Sequence, residues 1–186
     1  MTGVALDIAF VCTGNRFRSP LAAALLAEET RDLPVAIASL GTLDLGAVPA
    51  LPEAIEMAES FGLDLSGHHS RNISEVDLEP YDLILGFERM HVAGAVVDGG
   101  APVERTFTLP ELVELLEAIP GPPLQQEATE RARVRIRQAG AARPPDFRTR
   151  AVPEIADPLG QTRPAQRDTA AELHSLVSRL ASLLFA

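Results

Sequence analysis

An apolar run from Val4 to Val11, broken only by Asp7, leads straight into a polar loop, Cys12 to Arg18, and then into an Ala- and Leu-rich segment that reaches Arg31. A run of that length with β-branched and aromatic members reads as a strand buried on both faces, as in a parallel sheet. Ser19-Pro20 reads as the N-cap and first position of the helix, because a hydroxyl satisfies an orphan N–H and proline has none to lose. The same unit recurs. Val35 to Ala38, Leu83 to Leu85 and a stretch near Thr106-Phe107 read as further strands. Pro52 to Phe61, Met90 to Val97 and Leu109 to Ile119 read as helices, the first of them ended by Gly62. Strands alternating with helices through right-handed crossovers imply an α/β fold: a three-layer α/β/α domain on a four-stranded parallel sheet.

The cluster Pro120-Gly121-Pro122-Pro123 ends that regularity. A helix from Gln125 to Ala139 and an irregular stretch from Gly140 to Pro145 follow, and a last helix runs from about Asp168 to Leu184 with Leu173, Leu176, Leu180 and Leu183 on one face. Seven Arg stand against three acidic residues between 125 and 150. The segment at about 120–150 is therefore a helical, Arg-rich elaboration of one domain spanning 1–186, either a solvated helix face or a patch that steers anions.

The remaining composition narrows the partners. All 16 basic residues are Arg and face 26 acidic ones, for a net charge of −10, which argues against nucleic acid or an anionic membrane as partner. No stretch approaches the ~20 apolar residues of a spanning helix, and the leading apolar run lacks the basic flank of a signal peptide. With one Cys in the sequence, a reducing, cytoplasmic setting is expected. No metal-ligand spacing and no Walker-type G-K-[ST] occurs, so neither metal nor cofactor is expected; His91 and His174 read as surface or core-edge residues. Oligomeric state is not legible.

The loop carries the chemistry. Cys12-Thr13-Gly14-Asn15-Arg16-Phe17-Arg18-Ser19-Pro20 combines amides, a guanidinium and a helix N-terminus, the three things a phosphate needs. Gly14 and Asn15 tolerate positive φ, which lets the loop curl its amides toward one point. Cys12 at the base would be favoured as an anion by those amides, the helix dipole and Arg18, and would act as an in-line nucleophile toward phosphorus.

Val11 to Asn15 with Arg18-Ser19-Pro20 resembles the signature of the low-molecular-weight protein-tyrosine-phosphatase family, whose scaffold arsenate reductases share. Ser39-Leu40-Gly41-Thr42 is similar to the family's S-A-G-T, Gly62 to Arg71 to its glycine-to-H-x-[AS]-R stretch, Asp82 to Leu85 to its D-x-I-L strand, and Asp157-Pro158 to its late Asp-Pro loop. The resemblance implies a flavodoxin-like fold and a metal-free, cysteine-dependent phosphomonoesterase. In it Cys12 attacks phosphorus, and Arg18 with the backbone of Thr13, Gly14, Asn15, Arg16, Phe17 and Ser19 holds the phosphate oxygens. Asp157 protonates the leaving oxygen and then acts as base on water. Ser19 supports the thiolate, and Asn15 with His68, not His69, holds the loop's left-handed turn. The implied substrate is a phosphorylated protein, most simply phosphotyrosine, or a small anionic phosphomonoester.

Three departures accompany the resemblance. Phe17 stands where many members carry a second, disulfide-forming Cys. Arg16 occupies a loop position that faces the leaving group, so substrates with additional negative charge are expected and phosphoarginine is disfavoured. Leu159-Gly160 follows Asp157-Pro158 in place of an aromatic pair. Two alternatives stay open: an arsenate reductase coupled to an external low-molecular-weight thiol, and a catalytically silent oxyanion- or phosphoprotein-binding module.

Overall fold

The computed structural model describes residues 5–121 and 127–186; Val4 and the sequence-expected start of a helix at Gln125 lie outside the described residues. Four strands, β1 (Leu6–Cys12), β2 (Val35–Gly41), β3 (Leu83–Gly86) and β4 (Thr106–Thr108), form a parallel sheet in the order β2-β1-β3-β4. Among the described residues six α-helices accompany them: α1 (Arg18–Glu29), α2 (Pro52–Ser60), α3 (Arg89–Val97), α4 (Leu109–Ala118), α5 (Ala128–Ala142) and α6 (Arg163–Phe185).

The two-residue period of a strand sorts β1 between two cores. Leu6, Ile8, Phe10 and Cys12 join Leu83 and Leu85 of β3 against α1, α4, α5 and α6. Ala9 and Val11 turn the other way, with Leu40 and Ile84, onto Ala95 of α3 and onto Ile73 and Leu78. The three layers expected from the alternation are thus present. Cys12 is the last residue of the central strand and shares the face on which α1 packs.

Local boundaries differ in informative ways. Helix α1 begins at Arg18, with Phe17 in the cap position and no side-chain cap, so Ser19 is not the N-cap that Ser-Pro suggests. Its hydroxyl is drawn inward to the loop instead. Helix α6 opens five residues before Asp168, because Thr162 accepts from the Ala165 amide and Pro164 sits in the first turn. Helix α5 runs through Gly140, whose missing Cβ lets the Glu104 carbonyl approach to 2.5 Å of where that carbon would stand.

Three arginines of the Arg-rich segment are engaged inside the fold, whereas Arg137, Arg148 and Arg150 are exposed. Arg133 binds the Asp82 carboxylate and the Ala5 carbonyl at the N-terminal end of the sheet, opposite Cys12. Arg135 is buried and donates to the carbonyls of Leu116, Ile119, Pro120 and Leu183, the orphan acceptors at two helix ends. Arg143 is held by both oxygens of Glu111 and lies over the rings of Phe107 and Phe147. Low-dielectric surroundings make such groups costly unless compensated: Arg133 and Arg143 are paired with carboxylates, and Arg135 is satisfied by backbone carbonyls.

Candidate active site

The loop between β1 and α1 is tied from outside by its carbonyls. Those of Cys12, Thr13 and Arg16 accept from the amides of Thr42, Leu43 and Leu51, each at 2.9 Å, and that of Asn15 accepts from His68 Nε2 at 2.7 Å. With the acceptors turned outward, the amides face the interior of the curl. Asn15 N–H donates to Cys12 Sγ at 3.2 Å. The amides of Gly14, Arg16 and Phe17 have no protein acceptor among the described residues. Convergent free amides at the head of a helix form an anion cradle.

The turn that produces this curl is at Asn15, the one non-glycine residue with positive φ (51°) among those described. It is completely buried, and its side chain is fully employed: Nδ2 donates to Ser19 Oγ (2.8 Å) and Ser39 Oγ (2.9 Å), and Oδ1 accepts from the Arg71 amide (2.9 Å). His68 is half-buried, and loss of solvation pushes its pKa down, opposed by its bond to the Asn15 carbonyl. A neutral His68 donates from Nε2 to that carbonyl.

Cys12 Sγ also lies 3.0 Å from Ser19 Oγ. Ser19 has one proton and two possible acceptors, this sulfur and the Leu40 carbonyl at 3.2 Å. A thiolate would take that proton; a thiol would leave it to Leu40.

Arg18 is buried, with its guanidinium fixed on three sides. Nη1 donates to Glu88 Oε2 (2.8 Å) and the Ile155 carbonyl (3.0 Å), and Nη2 donates to Asp157 Oδ2 (2.7 Å). Asp157 reaches Arg18 because Ile155, wholly buried, donates its amide to the Phe87 carbonyl at the end of β3 (2.8 Å), so the chain two residues on passes over the loop. Its other oxygen accepts from the Leu159 amide.

Together these residues open on a cavity of about 290 Å³ with Cys12 and Arg18 at its base and Leu43, Leu45, Leu51 and Leu159 on its walls. Arg16 also lines it, but its Nε is tethered to the Pro49 carbonyl at 2.8 Å. Among the described residues no three metal-ligating side chains converge. No described helix is long and apolar enough to cross a membrane.

Comparison with known proteins identifies the family and the fold. The model of the family described as low molecular weight phosphotyrosine protein phosphatase matches residues 7–119. The chain belongs to that family. Its similarity to the low molecular weight protein-tyrosine-phosphatase Wzb of Escherichia coli K12 is 43% identity over 86 residues, 46% of this chain and 57% of the relative, so little more than half the relative's length is matched. A protein-arginine-phosphatase of Bacillus subtilis is 34% identical over 110 residues, covering 58% of this chain and 73% of the relative. A crystal structure of a Bacillus subtilis YwlE mutant superposes with a TM-score of 0.70 at 26% identity, over 96% of this chain and 97% of the other. The family match ends at 119, before Asp157, α5 and α6.

Two site residues escaped the sequence reading. Glu88 clamps Arg18 across 70 positions of sequence, and only an acidic residue just after a strand hinted at it. His91 is fully buried beneath the loop, with Nε2 3.0 Å from Thr13 Oγ1, neither a surface nor a core-edge residue. His174 stacks on Phe61 away from the loop, with ring centroids 4.7 Å apart.

Proposed function

We propose that the chain is a cysteine-dependent protein phosphatase that works through a phosphocysteine intermediate, with phosphotyrosine as its substrate class. The observation that carries this reading is the inside-out loop: carbonyls bound outward, amides left facing a buried sulfur, and a clamped guanidinium beside it. Cys12 Sγ as thiolate forms the bond to phosphorus while the ester P–O bond breaks, and the leaving oxygen takes a proton from Asp157. Water then attacks the phosphocysteine, Asp157 takes its proton, the S–P bond breaks and inorganic phosphate leaves. Amides and Arg18 stabilise the charge on the equatorial oxygens, which is where phosphoryl transfer needs help.

The aliphatic wall of leucines suits an aromatic leaving group through apolar contact, without ring stacking. A second reading, phosphoarginine, is favoured by the similarity to the Bacillus protein-arginine-phosphatase. Arg16 opposes it, since a guanidino leaving group would meet like charge in the cavity. Under reducing conditions the wild-type protein should hydrolyse p-nitrophenyl phosphate with a rate that rises and then falls with pH, as expected of an anionic nucleophile and a protonated acid. Cys12→Ser should abolish turnover. Phosphotyrosine peptides should be cleaved in preference to phosphoarginine peptides; the reverse order overturns the substrate assignment, and an inert wild type overturns the phosphatase.

A further inference from the structure

Behind the phosphate loop lies a support that the roles above do not use. His91, in the first turn of α3, accepts at Nδ1 from the amides of Phe87 (3.3 Å) and Glu88 (3.1 Å). Two amide donors aimed at one ring nitrogen exclude a proton there, so the neutral ring carries its proton on Nε2. Nε2–H therefore donates to Thr13 Oγ1, at 3.0 Å. The surroundings keep the ring neutral: loss of solvation and then the Arg18 charge lower its pKa to about 4, against the opposite pull of Asp157 and Glu154. The Glu88 carboxylate, 3.5 Å from Nε2, is already engaged by Arg18.

A hydroxyl that accepts from His91 still has its own proton to give. No protein acceptor among the described residues takes it from Thr13, and Thr13 lines the cavity beside Cys12 and Arg18. Free rotation about the Thr13 C–O bond would let that hydroxyl present either a lone pair or a proton to the cavity. The bond from His91 occupies a lone pair on the buried side and leaves the proton for the other.

We propose that His91 is a positioning residue that fixes the Thr13 hydroxyl as an additional hydrogen-bond donor to the oxyanion held in the loop. Its effect on turnover rests on the phosphatase reading; its effect on anion binding does not. Protonation of His91 would set an N–H against the Phe87 and Glu88 amides and break the support, so the contribution belongs to the neutral ring.

The test is a double-mutant cycle on the full chain, read both by p-nitrophenyl phosphate kinetics and by the affinity for inorganic phosphate. Thr13→Val keeps the shape and deletes the donor. His91→Asn keeps an acceptor for the two amides and deletes the Nε2–H. A donor to a charged oxygen is worth roughly tenfold or more, so each single variant should lose about that factor in kcat/KM and bind phosphate more weakly. The double variant should be no worse than Thr13→Val alone, and Thr13→Ser should restore activity. Multiplicative losses in the double variant, or a Thr13→Val protein with wild-type kinetics and phosphate affinity, overturn the proposal. Should wild type bind phosphate without turnover, the phosphatase reading falls while the phosphate affinities still decide this one. Should His91→Asn fail to fold, ¹⁵N NMR of the wild-type imidazole decides instead. A proton on Nε2 across pH 5–8 together with the Thr13→Val loss supports the proposal, and a proton on Nδ1 overturns it.

Discussion

At the scale of single residues, Asn15 does two jobs that one side-chain type can combine. It accepts a left-handed backbone that costs other L-residues about 1–2 kcal/mol, and its amide satisfies three partners that are otherwise cut off from water. Asn15→Ala should therefore destabilise the protein by roughly 3 kcal/mol in thermal or denaturant unfolding and depress turnover, although no atom of the side chain faces the substrate; a variant with unchanged stability contradicts this account. His91 gives the complementary prediction in pH. Its folded pKa of about 4 lies below the ordinary 6.5, so between these values the unfolded chain binds a proton that the folded chain refuses. The stability it confers is complete above about pH 6.5 and is lost as pH falls toward 4, by about 2 kcal/mol between pH 7 and pH 5. Denaturant titrations at those two pH values should show His91→Asn with a smaller drop than wild type; equal drops would mean the ring is not held neutral. Asn15 was legible because its neighbours Gly14 and Arg18 frame it in a short motif. His91 was not, because nothing in a helical run such as Met90 to Val97 says which residue faces a loop 78 positions earlier.

Elements show how the site is assembled from separate parts of the chain. The end of β1 supplies the sulfur, the start of α1 the guanidinium, the β3–α3 turn the Glu88 clamp and His91, and the 151–162 segment brings Asp157 by docking Ile155 on β3. The alternation of strands and helices was readable because burial on both faces imposes continuous apolar strands and amphipathic helices. The boundaries of α1 and α6 were less readable, since the same hydroxyl residue can cap a helix or serve a site. The segment around α5 is where composition misled most: Arg133, Arg135 and Arg143 look solvated in sequence but bind carboxylates and backbone carbonyls in space. The Arg143–Glu111 pair, with side chains only 5% and 11% exposed, makes this measurable. Glu111→Ala leaves a buried guanidinium hydrogen-bonded only to the Val103 and Thr106 carbonyls and also removes the acceptor for the Thr108 amide. It should cost about 3–5 kcal/mol in unfolding free energy while leaving the affinity for inorganic phosphate nearly unchanged. A loss under 1 kcal/mol would show that the carbonyls alone suffice.

For the molecule as a whole, a single thiol in the sequence means that the proposed nucleophile has no internal partner, Phe17 standing where a second Cys would be. Peroxide should therefore inactivate the protein in a way that an external thiol reverses only early, before sulfinic acid forms, and mass spectrometry should find the irreversible acids on Cys12. Full recovery by thiol after prolonged exposure would show that some other feature guards the sulfur. The sequence by itself determined the layered α/β architecture and the cysteine-to-arginine loop, because both are written in local chemistry: apolar periodicity, a turn-permissive Gly-Asn pair and a cation at a fixed offset. Only the tertiary structure decided that Glu88 and His91 stand against that loop and that Asp157 pairs with Arg18. Glu88 meets Arg18 across 70 positions, Thr13 meets His91 across 78 and Asp157 meets Arg18 across 139, and contacts closed over such distances depend on how strands are ordered and helices laid against them, which no short stretch of sequence records.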